Sequence, residues 1–335
     1  MGACTEPDAA YVGGRTPNLE RVPGRTRHAR GVTDTDARDS PLPGEGPGPG
    51  KAPGHPLASI VVPAHDEAAV VGRLLDGLLR SARAGELAVV VVANGCSDDT
   101  AAIARSHPGV DVIETPVASK IAALRLGDAA CITFPRLYVD ADVEISTEGV
   151  RALVAAVHGQ VLAAVPRREL VMAGRPWAVR AYYRVWSRLP SVRVGLFGRG
   201  VIALSEQGHT RTAALPPVVA DDLWLHHAFA PVETRVVQDA VVTVHAPRRT
   251  RDLLRRRLRV VSGATEIHAG LVPGARSSRT RPADLISLAR EDPGLAPALV
   301  VFLAVTLVTR VQASRATRQG RSTVWHRDES SRSTG

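Results

Sequence analysis

Leu137-Tyr138-Val139-Asp140-Ala141-Asp142 is an apolar, strand-like run that ends in two carboxylates two residues apart. In an extended segment, residues i and i+2 point the same way, so Asp140 and Asp142 fall on one face. Two carboxylates placed together repel each other unless a cation lies between them. Hard oxygen ligands of this kind suit Mg²⁺ or Mn²⁺ carrying phosphates. The tripeptide alone equally suits an acidic turn after a strand, because Asp is a common turn former, so the surrounding sequence has to decide.

Upstream, strand-like runs alternate with helical patterns, the signature of a mainly parallel sheet flanked by helices. Ala58 to Pro63 reads as the first strand. Glu67 to Ala84 reads as an amphipathic helix with Val70, Val71, Leu74, Leu75, Leu78 and Leu79 at helical spacing. Leu87 to Ala93 is so uniformly apolar that it belongs in a central strand buried on both faces. A turn at Asn94 to Asp98 leads to a helix over Asp99 to Ser106, which Ser97 or Asp98 can cap. Val110 to Ile113 is a third strand, Ile121 to Ala130 a helix, and Cys131 to Val139 the strand that carries the two acids. Beyond them a helix is expected near Thr147 to Val157 and a strand at Val161 to Val165.

In such a sheet the loops at the carboxyl ends of the strands converge on one crevice. Residues 64–67, 94–98 and 140–142 should therefore share a ligand. Trp177, Trp186 and Trp224, with the loop Gly195-Leu196-Phe197-Gly198-Arg199-Gly200, fall in the half expected to meet a second substrate.

The chain has 335 residues, 44% of them apolar, enough for a sizeable core. Residues 1–56 are rich in Gly, Pro, Arg, Asp and Thr without apolar periodicity and read as a disordered arm lacking a secretory apolar stretch. Residues 315–335 read as a disordered basic tail. Between them lie an α/β domain over 57–245 and a helical region over 246–314. Cys4, Cys96 and Cys131 are too few and too scattered for a disulfide framework or a thiolate zinc site, which points to a reducing cytoplasmic setting. The net charge of +9 suits nucleic acid, an anionic membrane surface or phosphate-bearing substrates. No recognisable nucleic-acid module accompanies it, so no nucleic-acid partner is expected.

The ordered segments resemble the family-two glycosyltransferases, over about Ser59 to Gly263. Ile60-Val61-Val62-Pro63-Ala64-His65-Asp66-Glu67 resembles that family's opening strand and Pro-x-x-Asn-Glu turn, with Asp66 where Asn is usual. Val91 to Thr100 resembles its Asp-Asp-Gly-Ser-x-Asp-x-Thr segment, with Ala93, beside Asn94, in place of the base-recognising Asp. Ser119-Lys120 stands where many members have Gly-Lys. The resemblance implies the GT-A fold: a Rossmann-like nucleotide-binding half joined to an acceptor-binding half, here followed by C-terminal helices. It also implies an inverting, metal-dependent hexosyltransferase activity. The donor would be a nucleotide-diphosphate sugar and the acceptor a hydroxyl on a glycan, a lipid-linked molecule or a small molecule.

Site residues follow from the same resemblance. Pro63, His65, Glu67, Asn94, Asp98, Lys120 and Asp140 would bind the donor. Asp140 and Asp142 would hold Mn²⁺ or Mg²⁺, and His245 matches the late histidine that completes the metal shell in many relatives. Val219-Ala220-Asp221-Asp222-Leu223-Trp224 resembles the Glu-Asp motif whose second acid is the general base, which assigns that role to Asp222 beside Asp221. Chemistry needs such a group because a hydroxyl is a poor nucleophile until a carboxylate accepts its proton. Arg259 and Gly263 keep their places in a degenerate Gln-x-x-Arg-Trp motif, and the Arg259 fork suits diphosphate oxygens.

One rival is a nucleotidyltransferase on a related fold, but its usual Gly-rich loop is replaced by Pro63-Ala64-His65-Asp66-Glu67. Another is a non-catalytic, membrane- or polyanion-associated basic protein. Leu295 to Val308 is apolar apart from Thr306, shorter than the roughly 20 residues that span a bilayer, and carries Pro297. It suits a helix packed on the domain or lying in a membrane interface, with Arg310 and Arg315 reaching the headgroups. That places the protein in the cytoplasm or at the inner face of the cell membrane.

Overall fold

Residues 55–213, 228–268 and 280–318 are described by a computed structural model of the chain. Their centre is the Val-rich pair β1 (Ala58–Ala64) and β2 (Leu87–Asn94), parallel and almost wholly buried. β3 (Val110–Thr115) adds beside β2, and β4 (Arg136–Val139) beside β1, both parallel. Four further strands continue the sheet: β5 (Val143–Ile145), β6 (Ala163–Val171), β7 (Val201–Leu204) and β8 (Thr234–His245). The order is β3-β2-β1-β4-β7-β6-β8-β5, with β7 antiparallel to both neighbours and β5 antiparallel to β8. This mixed, mostly parallel sheet with covering helices is the expected α/β architecture, and C-terminal helices follow it.

Period two decides which helix each strand residue meets. Ile60, Val62 and Ala64 share a core with Val71, Leu74, Leu75 and Leu78 of α1 (Val71–Leu79) and with Val150 and Leu153 of α4 (Thr147–Ala156). Val61 points to the other face, where it meets Val90, Val92 and Ala123 of α3 (Lys120–Ala130). The short α2 (Thr100–Arg105) leads back to β3. A second core lies where Val179, Tyr182 and Tyr183 of α5 (Trp177–Trp186) meet Leu253 of α8 (Thr250–His268), after α6 (Pro190–Val194) and α7 (Glu206–Ala213). Leu288 of α9 (Pro282–Glu291) and Ala298, Phe302 and Val305 of α10 (Ala296–Arg318) complete it. Tyr182 stacks on Phe302 with ring centroids 5.2 Å apart.

Several boundaries differ from the sequence expectation. The first helix starts at Val71 rather than Glu67, because Asp66 adopts φ 47° and the N–H groups of Glu67 and Ala68 are taken by Thr100 Oγ1 and Asp98 Oδ2. β4 starts at Arg136 rather than Cys131. Cys131 caps α3, and Pro135 offers no N–H to a ladder. β6 runs on through Arg167 and Arg168 to Val171 because β8 supplies a partner across a bulge at Pro166/Arg167. β5 was not anticipated. The final helix extends to Arg318, with Pro297 in its first turn, where proline is tolerated. It is long and apolar enough to cross a membrane by length and composition, although its Ala298, Phe302, Val305 and Ala313 are buried on the protein. The expected arm up to residue 54, the tail from residue 319, Asp221, Asp222 and Trp224 lie outside the described residues.

Candidate active site

At the carboxyl ends of β1 and β2 two loops are stitched together. Asn94 donates from Nδ2 to the Ala64 carbonyl at 2.8 Å, and Ser97 N–H donates to Asp66 Oδ1 at 2.6 Å. Asp98 accepts from Ala68 N–H with one oxygen and from Thr100 N–H with the other, each at 3.1 Å. Much of the hydrogen-bonding capacity of Asn94, Asp66 and Asp98 therefore goes into loop geometry. Pro63 is a buried strand residue opposite Val92, and Glu67 is buried at the turn. His65 is half-buried, with a ligand atom within 4.8 Å of those of Asp66 and Cys96. Beside this loop pair a cavity of about 210 Å³ is lined by Ala93, Gly95, Cys96, Glu114, Thr115 and Pro116.

The acid pair lies one strand away, just past β4. Ala141 is buried in the main core while Asp140 and Asp142 are half-buried, so both acids turn away from that core. Ser119 caps α3 by accepting from Ala122 N–H, which fixes Lys120 in the first turn. From there Lys120 Nζ reaches Asp140 Oδ1 at 2.8 Å. The Asp140 N–H donates to the Gly200 carbonyl at 2.7 Å. Gly200 holds φ +70°, and a Cβ there would stand 2.6 Å from Val143 Cγ1 and 3.2 Å from Asp140 Oδ2. The glycine-rich loop thus touches the acid motif through bare backbone.

Of the other expected ligands, His245 ends β8 close in register to Asp142, since Val143 pairs with Val244. Its Nε2, however, lies 2.6 Å from Glu144 Oε1, an oxygen that also meets Arg73 Nε at 2.9 Å. Arg259 sits on α8.

Two features went unread in the sequence. Arg199 is 3% exposed and donates to the carbonyls of Gly195, Pro166, Val192 and Arg193, pinning the glycine-rich loop from within. Behind β4, Asp128 accepts from Arg136 Nη1 at 2.6 Å and Tyr138 Oη at 2.7 Å, and its other oxygen lies 2.7 Å from His209 Nε2 of α7. Burial alone would raise the Asp128 carboxyl, but hydrogen bonds from Tyr138, Arg136 and His209 outweigh it and hold the group below the usual carboxylate range. Burial and the same carboxylate push the Tyr138 phenol up. An Asp, an Arg and a Tyr within eleven residues were the available signal, but His209 lies 81 residues from Asp128.

A mixed, mostly parallel sheet with loops gathered at the carboxyl ends of β1 and β2, and an acid pair just past β4, is the GT-A architecture. Residues 59–200 match the model of glycosyl transferase family 2. No curated protein matches the chain. Among solved structures, a mannosyltransferase from Pyrobaculum calidifontis in complex with GDP-Man and Mn²⁺ is similar at 20% identity, with 79% of each chain covered and a TM-score of 0.51. Glucosyl-3-phosphoglycerate synthase from Mycobacterium tuberculosis, in complex with Mn²⁺, UDP and glucosyl-3-phosphoglycerate, is 20% identical over 65% of this chain and 81% of that one, with a TM-score of 0.44.

Proposed function

We propose that this chain is a glycosyltransferase that moves a hexosyl group from a nucleoside-diphosphate sugar to an acceptor hydroxyl, with inversion and with a divalent cation. The observation that carries the reading is the placement of Asp140: anchored by Gly200, paired with Lys120, and set beside the two stitched loops of β1 and β2. The carboxylate oxygens of Asp140 and Asp142 are hard donors that fit Mg²⁺ or Mn²⁺, and the similar mannosyltransferase was solved with GDP-Man and Mn²⁺. Gly200 fits such a site because a Cβ there would stand 3.2 Å from Asp140 Oδ2 and crowd the carboxylate; Lys120, at 2.8 Å from Asp140 Oδ1, would share that carboxylate with the cation or turn to the phosphates. When bound, the cation supplies positive charge against the departing diphosphate.

The chain's own residues do the rest. Lys120 faces phosphate oxygens, and Arg259 offers a second cation to them. The loops carrying Pro63, His65, Glu67, Asn94 and Asp98, with the cavity between β2 and β3, receive the nucleoside. Asp222, with Asp221 preceding it, accepts the proton of the acceptor hydroxyl. The outer face of α10 rests on the inner surface of the cell membrane, with exposed Arg310 and Arg315 at the headgroups.

A thermal-shift screen of nucleotide sugars with Mn²⁺ tests the donor site, since a ligand of the folded state raises its stability. Asp142→Ala is expected to abolish the metal-dependent shift. Asp222→Asn is expected to keep the shift and lose transfer by roughly 10²- to 10⁴-fold, the usual contribution of a general base. Transfer by Asp222→Asn at the parent rate would remove the base assignment.

A further inference from the structure

Past the bulge in β6, Arg168 stands where three features meet. Its guanidinium carbon lies 4.2 Å over the Trp186 ring, and its Nη1 donates to the Gly198 carbonyl at 2.9 Å. Arg199 and Arg256 of α8 are near enough that their charges depress its ionisation. Burial is the larger cause, and together they pull Arg168 down to about 9; burial alone takes Arg199 to about 10. Both guanidiniums stay charged at neutral pH. Arg199 spends its donors on four carbonyls, which satisfy hydrogen bonds but cancel no charge. Among the described residues no carboxylate forms an ion pair with Arg168 or Arg199. The nearby acid Glu169 pairs with Arg167 instead.

For Arg168 and Arg199, partly desolvated like charges with no carboxylate paired to them are costly, and an anion that enters beside them offsets that cost. The geometry is suited to receive one. Stacking on Trp186 occupies the face of the Arg168 guanidinium, and the Gly198 carbonyl takes a single N–H. The remaining in-plane donors form the planar fork that matches phosphate or carboxylate oxygens. Position selects the source of the anion. Gly198, which Arg168 holds, is two residues from Gly200, which holds Asp140, so the cluster and the acid pair flank one short loop. The donor phosphates already have Lys120 on the β1–β4 side. Arg168 lies across β7, against the α5 tryptophan.

We propose that Arg168, flanked by Arg199 and Arg256, binds an oxyanion carried by the acceptor, so that the acceptor is a phosphate- or carboxylate-bearing molecule whose hydroxyl faces the donor sugar. This rests on the glycosyltransferase reading above.

Full-length protein saturated with Mg²⁺ and the nucleoside diphosphate identified in the screen would be titrated with inorganic phosphate at constant ionic strength, using chloride as the blank. Phosphate is expected to bind saturably alongside the nucleotide. Arg168→Gln is expected to weaken it by about tenfold or more, the loss of a hydrogen bond to a charged group, with nucleotide affinity unchanged. Should Arg168→Gln not fold, Arg168→Lys carries the test, because it keeps the charge and loses the fork; a severalfold weakening supports the proposal. Phosphate affinity unchanged in a folded variant overturns it. So does competition between phosphate and nucleotide with both weakened in the variant, which would assign the cluster to the donor diphosphate. If no nucleotide binds the parent protein with any divalent cation, the glycosyltransferase reading fails, while the phosphate titration still reports on Arg168.

Discussion

At the scale of single residues, magnitudes separate groups that hold the site from groups that work in it. The Lys120–Asp140 pair is 2.8 Å long, but its side chains are 30% and 39% exposed. Pairs of that exposure contribute at most about 1 kcal/mol to stability. A lysine kept there for phosphate contacts should therefore matter far more to binding than to folding. Lys120→Met is expected to leave the unfolding free energy within about 1 kcal/mol of the parent and to weaken nucleoside-diphosphate binding about tenfold or more, a charge-assisted hydrogen bond being worth roughly 1.5–3 kcal/mol. Denaturant titration and calorimetry read the two quantities separately. A drop in stability with unchanged affinity would make Lys120 a structural residue. Gly200 acts in the opposite way, by having no side chain. Its φ of +70° disfavours any L-residue, and an added Cβ would press on Val143 and Asp140. Gly200→Ala should cost about 1 kcal/mol or more from the backbone alone and displace the carboxylate it adjoins. The expected readout is weakened metal-dependent nucleotide binding in a protein that still folds.

At the scale of elements, α10 shows how one helix serves two surroundings. Ala298, Phe302, Val305 and Thr309 lie at helical spacing on the buried side, packed on α5 and α8, whereas Val300, Leu303, Leu307, Val308 and Val311 face outward. The inner face should govern stability. Phe302, 3% exposed and stacked on Tyr182, is expected to cost about 3–5 kcal/mol as Phe302→Ala, measured by urea unfolding. The outer face should govern membrane contact. Leu303→Lys with Leu307→Lys removes apolar area from positions 51% and 65% exposed, where substitutions usually shift stability by about 0.5 kcal/mol or less. The double variant is expected to unfold near the parent midpoint and to lose co-sedimentation with vesicles containing anionic lipid. Equal vesicle binding by parent and variant would take α10 away from the membrane and leave its outer face unexplained.

At the scale of the whole molecule, what could be read from sequence was what neighbouring residues encode. β1 and β2 are buried on both faces, so their runs are apolar throughout, and the loops after them were located by the rule that ligands gather at carboxyl ends of strands. β5 was hidden because three residues have no period of their own and become a strand only through β8, about a hundred residues on. Arg168 was hidden because a charged pair inside a strand run reads as the strand's end. The Asp128 cluster was hidden for the same reason as β5, since it joins α3, β4 and α7 across 81 residues. Yet it has the clearest consequence for the molecule's pH response. Arg136 is 5% exposed and Asp128 25%, so this is a largely buried pair, and removing one partner of such a pair typically costs about 3–5 kcal/mol. Because the Asp128 pKa is depressed in the folded state, the folded protein binds fewer protons there than the unfolded chain. The stabilisation is therefore complete above the unfolded carboxylate value of about 3.9 and is lost as pH falls through the lower folded value. Asp128→Asn keeps the shape and loses the charge. It is expected to lower the unfolding free energy by about 3 kcal/mol at pH 7, and the gap to the parent should narrow steadily below about pH 4 as the parent's own carboxylate is protonated. Urea unfolding of both proteins at pH 7 and at pH 3 measures that narrowing. A gap of the same size at both values would mean that Asp128 acts through packing, and that its ionisation does not contribute to holding α7 and β4 together.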